Sequence, residues 1–327
     1  STTDLSATGQ NATFPTVGLD SSGNGTAAWL RAGGPNTVVQ AADQDVVAPN
    51  TTMLTTPSNP SSDRNPSFTF SSNDVGATFE CQIDGGGYSA CTTPKSYSSL
   101  ADGSHTVDVR AKDSASNVDG SPASYTWTID ATGPTTSFLA YPTNPSGLTT
   151  AAFTFSSDEV GSTFECKLDG ASYSPCTSPQ NLYSLSEGSH TYYVRATDSL
   201  LNVGTPATYT WTVDTTAPNT SILTSPSNPS NNASPSFTFD STELGSTFEC
   251  QIDNGGYSTC TSPKNYSNLS QGSHTFDVRS IDPSGNSDGS PASYTWTIDT
   301  TAPGTTILTN PTNPSGSTSA AFTFESD

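Results

Sequence analysis

The chain has 327 residues, with 9 Lys+Arg against 30 Asp+Glu and a formal net charge of −21. That balance argues against nucleic acid and against docking on an anionic membrane, because a phosphate footprint needs clustered cations. Ser and Thr together number 106 and apolar residues make up only 31%, a composition foreign to a helical enzyme and suited to short strands joined by many turns. No apolar run approaches the roughly 20 residues that a helix needs to cross a bilayer. The chain begins at Ser1 with no visible signal peptide, as a mature or excised piece would.

In chain order, residues 1–48 stand outside the pattern that organises the rest. From Thr51 onward the period is two: Phe68 and Phe70, then Phe79, Cys81 and Ile83, then Val107, Val109 and Ala111, then Tyr125, Trp127 and Ile129 alternate with polar residues. Each set puts an apolar face inward and a polar face outward. Turn signals at Asn59-Pro60-Ser61, Gly85-Gly86-Gly87, Ala101-Asp102-Gly103 and Ser116-Asn117 to Asp119-Gly120 separate them. Strands are predicted near 51–56, 66–71, 77–84, 87–93, 96–99, 104–112 and 123–130.

The set then returns. Thr78-Phe79-Glu80-Cys81 recurs as Thr163-Phe164-Glu165-Cys166 and as Thr247-Phe248-Glu249-Cys250, and Tyr125-Thr126-Trp127-Thr128 recurs at 209–212 and 294–297. The organisation is therefore an N-terminal β-rich segment at 1–48, repeats at 49–132, 133–216 and 217–301, and the start of a fourth at 302–327. Seven short strands in about 84 residues predict an all-β chain of tandem immunoglobulin-like or fibronectin-III-like sandwiches arranged end to end. The junctions Asp130 to Pro134, Asp214 to Pro218 and Asp299 to Pro303 leave few residues between strand end and Pro. Pro and the residue before it are stiff, so bending is expected to be restricted and three units to give a rod of about 110 Å.

The stretch Leu100, Gly103, His105, Val107, Val109, Arg110, Ala111, Asp113 resembles the E–F region of fibronectin-III-like domains. The whole unit, with its Phe-Glu-Cys strand, a second Cys ten residues on, a Gly-Ser-His-Thr strand start and a Tyr-Thr-Trp-Thr-Ile-Asp tail, resembles the Ig-like repeats of large bacterial secreted and surface proteins. That resemblance implies a stalk or adhesin-type role and no chemistry. Pro15 to Asp20 with Val38 to Ala42 is similar to one unit of another bacterial secreted β-repeat.

Six cysteines allow 15 pairings, but each repeat owns one pair: Cys81/Cys91, Cys166/Cys176 and Cys250/Cys260. The first pair sits symmetrically about Gly86, where a hairpin would bring the two opposite each other. Closure within each unit is expected; a zinc site is the alternative, poor for want of a second Cys pair or nearby His. Disulfides place the chain outside the cytosol, at the cell surface or beyond.

The remaining candidates recur once per unit. His105, His190 and His274 sit where the sandwich family has its tyrosine corner and are expected to bond nearby backbone. Arg110, Arg195 and Arg279 are expected to pair with Glu80, Glu165 and Glu249, and Trp127, Trp211 and Trp296 to lie in the core. Gly285-Asn286-Ser287-Asp288-Gly289 has the Gly-x-Ser-x-Gly spacing but lies in a turn-rich run with no helix pattern after it, so it is no nucleophile elbow; no His-Glu-x-x-His occurs, and no enzyme is expected. Sequons at Asn11, Asn24, Asn50, Asn219, Asn232, Asn265 and Asn268 are common chance products in so Ser/Thr-rich a chain. A shared Lys–Asn cross-link is not expected, because the middle unit has Gln180 where the first and third have Lys95 and Lys264. Oxygen-rich loops at the repeat ends are candidates for Ca²⁺: Asp113, Asp119 and Asp130 as one group, with Asp198 and Asp214, then Asp282, Asp288 and Asp299, as equivalents. The bland alternative is that these residues make Asx-turns.

The expected function is a non-enzymatic extracellular stalk or adhesive section of a larger surface or filament protein. Its partners would be other domains, copies of itself or a surface ligand, and it would need no cofactor besides Ca²⁺. The alternatives are an accessory module of a secreted enzyme, and a fibre subunit whose fourth unit is completed by strands from another chain. Ile307, Leu308, Phe322 and Phe324 are expected to form that unit's apolar faces, completed by continuation of the chain or by donation from residues 1–48.

Overall fold

A computed structural model describes residues 12–21, 24–33, 36–314 and 316–327; residues 1–11, with the Asn11 sequon, lie outside the described residues. Strands β1 (Ala12–Leu19), β2 (Gly25–Gly33) and β3 (Asn36–Gln44) form an antiparallel meander. The first repeat follows as β4 (Thr51–Thr55), β5 (Ser67–Ser72), β6 (Thr78–Ile83), β7 (Ser89–Cys91), β8 (Lys95–Ser96), β9 (Gly103–Lys112) and β10 (Ala123–Ile129). The second has β11 (Thr136–Ala140), β12 (Ala151–Ser157), β13 (Thr163–Leu168), β14 (Ser174–Cys176), β15 (Gln180–Leu182), β16 (Gly188–Thr197) and β17 (Ala207–Val213). The third has β18 (Thr220–Thr224), β19 (Ser236–Ser241), β20 (Thr247–Ile252), β21 (Ser258–Cys260), β22 (Lys264–Asn265), β23 (Gly272–Ile281) and β24 (Ala292–Ile298). Strands β25 (Thr305–Thr309) and β26 (Thr323–Ser326) pair last. No helix occurs among the described residues.

Each repeat is a sandwich of a three-stranded and a four-stranded antiparallel sheet. The orders are β4-β5-β8 with β10-β9-β6-β7, β11-β12-β15 with β14-β13-β16-β17, and β18-β19-β22 with β21-β20-β23-β24. Constant-type immunoglobulin domains place their fourth strand on the first sheet; here it pairs with the third strand, so the order departs from the constant type. The chain is a tandem array of such sandwiches.

Alternation sets what is buried. In β10, Trp127 and Ile129 are buried while Thr126 and Thr128 are exposed, and Phe68 and Phe70 close the same core from β5. Trp296, Ile298, Phe237 and Phe239 do this in the third repeat. The bridges Cys81–Cys91, Cys166–Cys176 and Cys250–Cys260 tie third strand to fourth, with Cα separations of 5.9, 5.8 and 5.8 Å. Arg110, Arg195 and Arg279 each reach the facing glutamate at 2.7 Å.

Packing divides the chain into two compact units. One comprises the residues up to Ser137 with Ser157–Glu165 and Val194–Ala207; the other comprises Phe138–Ser156, Cys166–Tyr193 and Thr208–Asp327. The dividing line thus runs through the second repeat. In β25–β26, Ile307 faces Phe324 across the pair, and Ile307, Leu308, Phe322 and Phe324 are exposed. Phe237 and Phe239, the equivalents of Phe322 and Phe324, are buried in the third repeat.

The second repeat carries one polar atom that its neighbours lack. Tyr192 is 2% exposed and its hydroxyl has no hydrogen-bond partner in the protein, while Val107 and Phe276 hold the same place elsewhere. A buried unpaired hydroxyl costs about 1–3 kcal/mol. Tyr192→Phe should therefore raise the melting temperature of the second repeat, by an amount equivalent to about 1 kcal/mol; an unchanged or lower transition in calorimetry would show that the hydroxyl is satisfied.

Candidate functional site

The chemistry-bearing residues gather at the ends of the repeats, and one loop places them. In the loop after β9, Asn117 donates its backbone N–H to Asp113 Oδ1 at 2.7 Å and its side-chain amide to Asp113 Oδ2 at 2.8 Å. The same pair of bonds joins Asn202 to Asp198 and Asn286 to Asp282, all at 2.8 Å. Asp20 and Asn24, between β1 and β2, repeat it at 2.9 and 3.1 Å. Asp and Asn suit this role because a short polar side chain can close a turn on its own backbone.

The asparagine amide also reaches back to the preceding linker. Asn117 donates to the carbonyl of Asp45 at 2.9 Å, Asn202 to that of Asp130 at 2.9 Å and Asn286 to that of Asp214 at 2.7 Å. Carboxylates are thereby drawn together three times: Asp45, Asp74 and Asp113; Asp130, Glu159 and Asp198; Asp214, Glu243 and Asp282, each group offering oxygens within 4.8 Å of one another. Burial, and then the charges of Asp130, Asp198 and Asp158, push Glu159 above the usual carboxylate range. Burial, Asp214, Asp282 and Glu187 do the same to Glu243. Burial also works against ionised Asp198, but the bonds from Asn202 and Leu200 outweigh it and hold its pKa low. Such oxygen-only sets match the donor chemistry of a hard divalent cation.

A second set of contacts holds the other side of each linker. The turn before the sixth strand of each repeat presents Asp102, Glu187 or Gln271. Asp102 accepts from the Ala131 N–H at 3.3 Å and from the Thr132 hydroxyl. Glu187 accepts from the N–H and hydroxyl of Thr215 at 3.0 and 2.7 Å. Gln271 accepts from the Thr300 hydroxyl at 2.8 Å and donates to that of Thr301 at 2.6 Å.

This grouping differs from the one expected for calcium. Asp113, Asp130, Asp198, Asp214 and Asp282 take part, but Asp113 and Asp130 belong to different groups. Asp119 instead accepts from Thr51 N–H at 2.8 Å and Ser121 N–H at 2.9 Å, and Asp288 from Thr220 and Ser290, both at 2.8 Å. Those carboxylates are occupied in anchoring the first strand of their own repeat. Asp299 accepts from Gln271 and Thr301. Sequence reasoning missed Asp45, Asp74, Glu159 and Glu243. The signal for Asp45 was present, since Asp45 to Pro49 has the spacing of Asp130 to Pro134.

The histidines do bond backbone. His105 Nε2 meets Ala101 O at 2.9 Å and Nδ1 meets Asp84 Oδ2 at 2.8 Å, and His190 and His274 repeat this with Ser186 and Asp169, and with Ser270 and Asp253. The backbone carbonyl first, then the aspartate, raises the pKa of His105 and of His274. For His190 burial opposes the rise, but Asp169 and the Ser186 carbonyl outweigh it. Burial opposes the fall at Asp84 and Asp253, but the bond from the histidine and one backbone N–H lower both. The raised histidines contribute stability that is fully present below their ordinary pKa of 6.5 and is lost as pH rises through the folded value. The lowered aspartates contribute stability present above 3.8 and lost as pH falls through their folded values. Thermal stability should therefore peak between about pH 4 and 6.5 and fall toward pH 8. A melting temperature that climbs from pH 6 to 8 would contradict this.

No protein-family model and no curated protein matches the sequence. Among solved structures the chain is similar to part of a 1.5-MDa bacterial ice-binding adhesin, at 15% identity over 78% of this chain and 99% of that one, with a TM-score of 0.38. It is similar to a tetra-tandem repeat from the extending region of a large adhesion protein, at 19% identity over 85% and 82%, TM-score 0.34. It is also similar to fibronectin(III)-like modules of Clostridium thermocellum CbhA, at 15% identity over 50% and 94%, TM-score 0.26. The fold assignment rests on the strand order described above.

Proposed function

We propose that the chain is a section of a non-enzymatic extracellular stalk, with 49–132, 133–216 and 217–301 as its domains and 302–327 opening a fourth. One observation carries this reading. The first two linkers between repeats are bonded from both sides, by Asp102 or Glu187 upstream and by Asn202 or Asn286 downstream. A linker meant to flex would leave its backbone to solvent, whereas these groups restrain it. The three disulfides support a place outside the cytosol. Solution scattering of the full chain tests the reading: the stalk requires a longest dimension of at least about 110 Å, and a compact globule would overturn it.

Calcium is the second part of the proposal, now assigned to the Asp45, Asp130 and Asp214 groups. The gathering of three carboxylates within 4.8 Å of one another in each group favours it. Calcium should raise the melting temperature by several degrees and excess chelator should reverse the gain, as for any ligand that binds only the folded state. Identical melting curves with calcium and with chelator would reject this part.

A further inference from the structure

One apolar residue stays on the surface of every repeat at the same place. Leu54, Leu139, Leu223 and Leu308 recur every 84 or 85 residues and are 60, 68, 63 and 54% exposed. They lie on β4, β11, β18 and β25, the first strand of each repeat. In β4, β18 and β25 a register shift falls at the Leu, between Met53 and Thr55, Ile222 and Thr224, and Ile307 and Thr309. The shift breaks the alternation, so that Leu54 and Thr55 are both exposed. The half-buried residue before the Leu varies, as Met53, Phe138 and Ile222, yet the exposed one does not. A single exposed Leu needs no explanation. Four at one register do, because a polar residue there would cost the folded chain almost nothing.

The sheet around these residues supplies an independent observation. In the three repeats the strands of the three-stranded sheets carry only Lys95, Asp240 and Lys264 as charged residues. Lys95 and Lys264 are drawn over the rings of Tyr97 and Tyr266, at 5.1 and 5.3 Å. The four-stranded sheets instead carry the Arg–Glu pairs, and among the described residues no large apolar side chain is exposed on their strands. The net charge of −21 sits in the loops and linkers. Two copies can therefore bring three-stranded sheets together without bringing that charge together. The spacing also suits a second copy. A partner without repeats could use one of these faces, whereas a second copy has a matching face for each, and linked weak contacts strengthen one another. Edge-to-edge pairing is disfavoured by the register shift and by Pro57, Pro142 and Pro226 just after the strands, which leaves contact face to face.

We propose that the outer faces of the three-stranded sheets are a docking surface for a second copy of this chain, with the exposed leucines as its contact points. Such contact needs only the faces of single repeats, so a dimer with flexible linkers would sink the stalk reading and leave this one standing. The test is sedimentation equilibrium of the full chain in excess chelator, which keeps the acidic groups from bridging copies through a metal. A reversible dimer should form, and should tighten as salt is raised from about 20 mM to about 0.5 M, because salt screens the repulsion between two acidic chains. Leu139→Ser should weaken it about tenfold, the share of one Leu side chain taken from water. Replacing Leu54, Leu139, Leu223 and Leu308 together by Ser should leave a monomer. A parent chain that stays monomeric at millimolar concentration in high salt would overturn the proposal, as would a fourfold variant that dimerises like the parent. Should that variant not fold, a mixture of ¹³C-labelled and unlabelled parent chains decides. Intermolecular NOEs should reach the methyls of Leu139 and Leu223, and their absence overturns the surface.

Discussion

Replacing Cys250 and Cys260 together by Ala should lower the stability of the third repeat by roughly 2.8 kcal/mol, the chain-entropy gain for so short a loop. The two residues are ten apart in sequence and tie β20 to β21. β21 is only three residues long and sits at an edge of its sheet, so few backbone bonds hold it without the bridge. The loss should therefore be local. Hydrogen exchange in β21 should quicken first, while Trp296, at the centre of the core, keeps its protected environment until the repeat melts. Equal stability with and without the bridge, in calorimetry under oxidising and reducing conditions, would show that the four-stranded sheet holds its own edge.

The second large effect lies in the linker between the first and second repeats. A Cβ on Gly133 would stand 2.3 Å from the carbonyl carbon of Val203 and 2.4 Å from Gly204 N, and a Cβ on Gly204 would stand 1.9 Å from Pro134 O. Real Cβ atoms do not come so near to backbone, so Gly133→Ala or Gly204→Ala must push linker and loop apart. Overpacking of this kind costs about 1–3 kcal/mol. It should also break the bond of Asn202 to Asp130, which lies in the same contact. Ala217 occupies the Gly133 place in the next linker, so Ala217→Gly should cost at most about 1 kcal/mol, from backbone entropy alone. A Gly133→Ala protein with an unaltered melting curve and an unaltered Asn202 side-chain amide resonance would refute the close approach.

This pair of glycines shows where the sequence was legible and where it was not. Strands were readable because alternation is local: Phe68 and Phe70, or Trp127 and Ile129, state their inward face within a few residues. The Cys pairs, the Arg–Glu pairs and the histidine bonds to backbone followed from their recurrence at one register. The acidic groups were not readable, because each joins residues from three separate stretches, as Asp45, Asp74 and Asp113 do. Asp119 and Asp288 read as ligands because they are carboxylates in a turn; what the sequence did not show is that each accepts from the N–H that opens its own first strand. Their partner in the middle repeat was a usable clue. Gly204 replaces that aspartate in the one repeat whose preceding linker has Gly133 instead of Ala, and the two substitutions belong to one backbone contact.

A restrained linker is the central claim, and backbone relaxation measures it directly. In the full chain, ¹⁵N order parameters at Ala131, Thr132, Thr215 and Thr216 should match those of the neighbouring strands, about 0.85, and should fall when Asp102 and Glu187 are replaced by Ala. Values below about 0.6 at these four residues in the unaltered chain would mean that the linkers move freely, and would contradict the stalk.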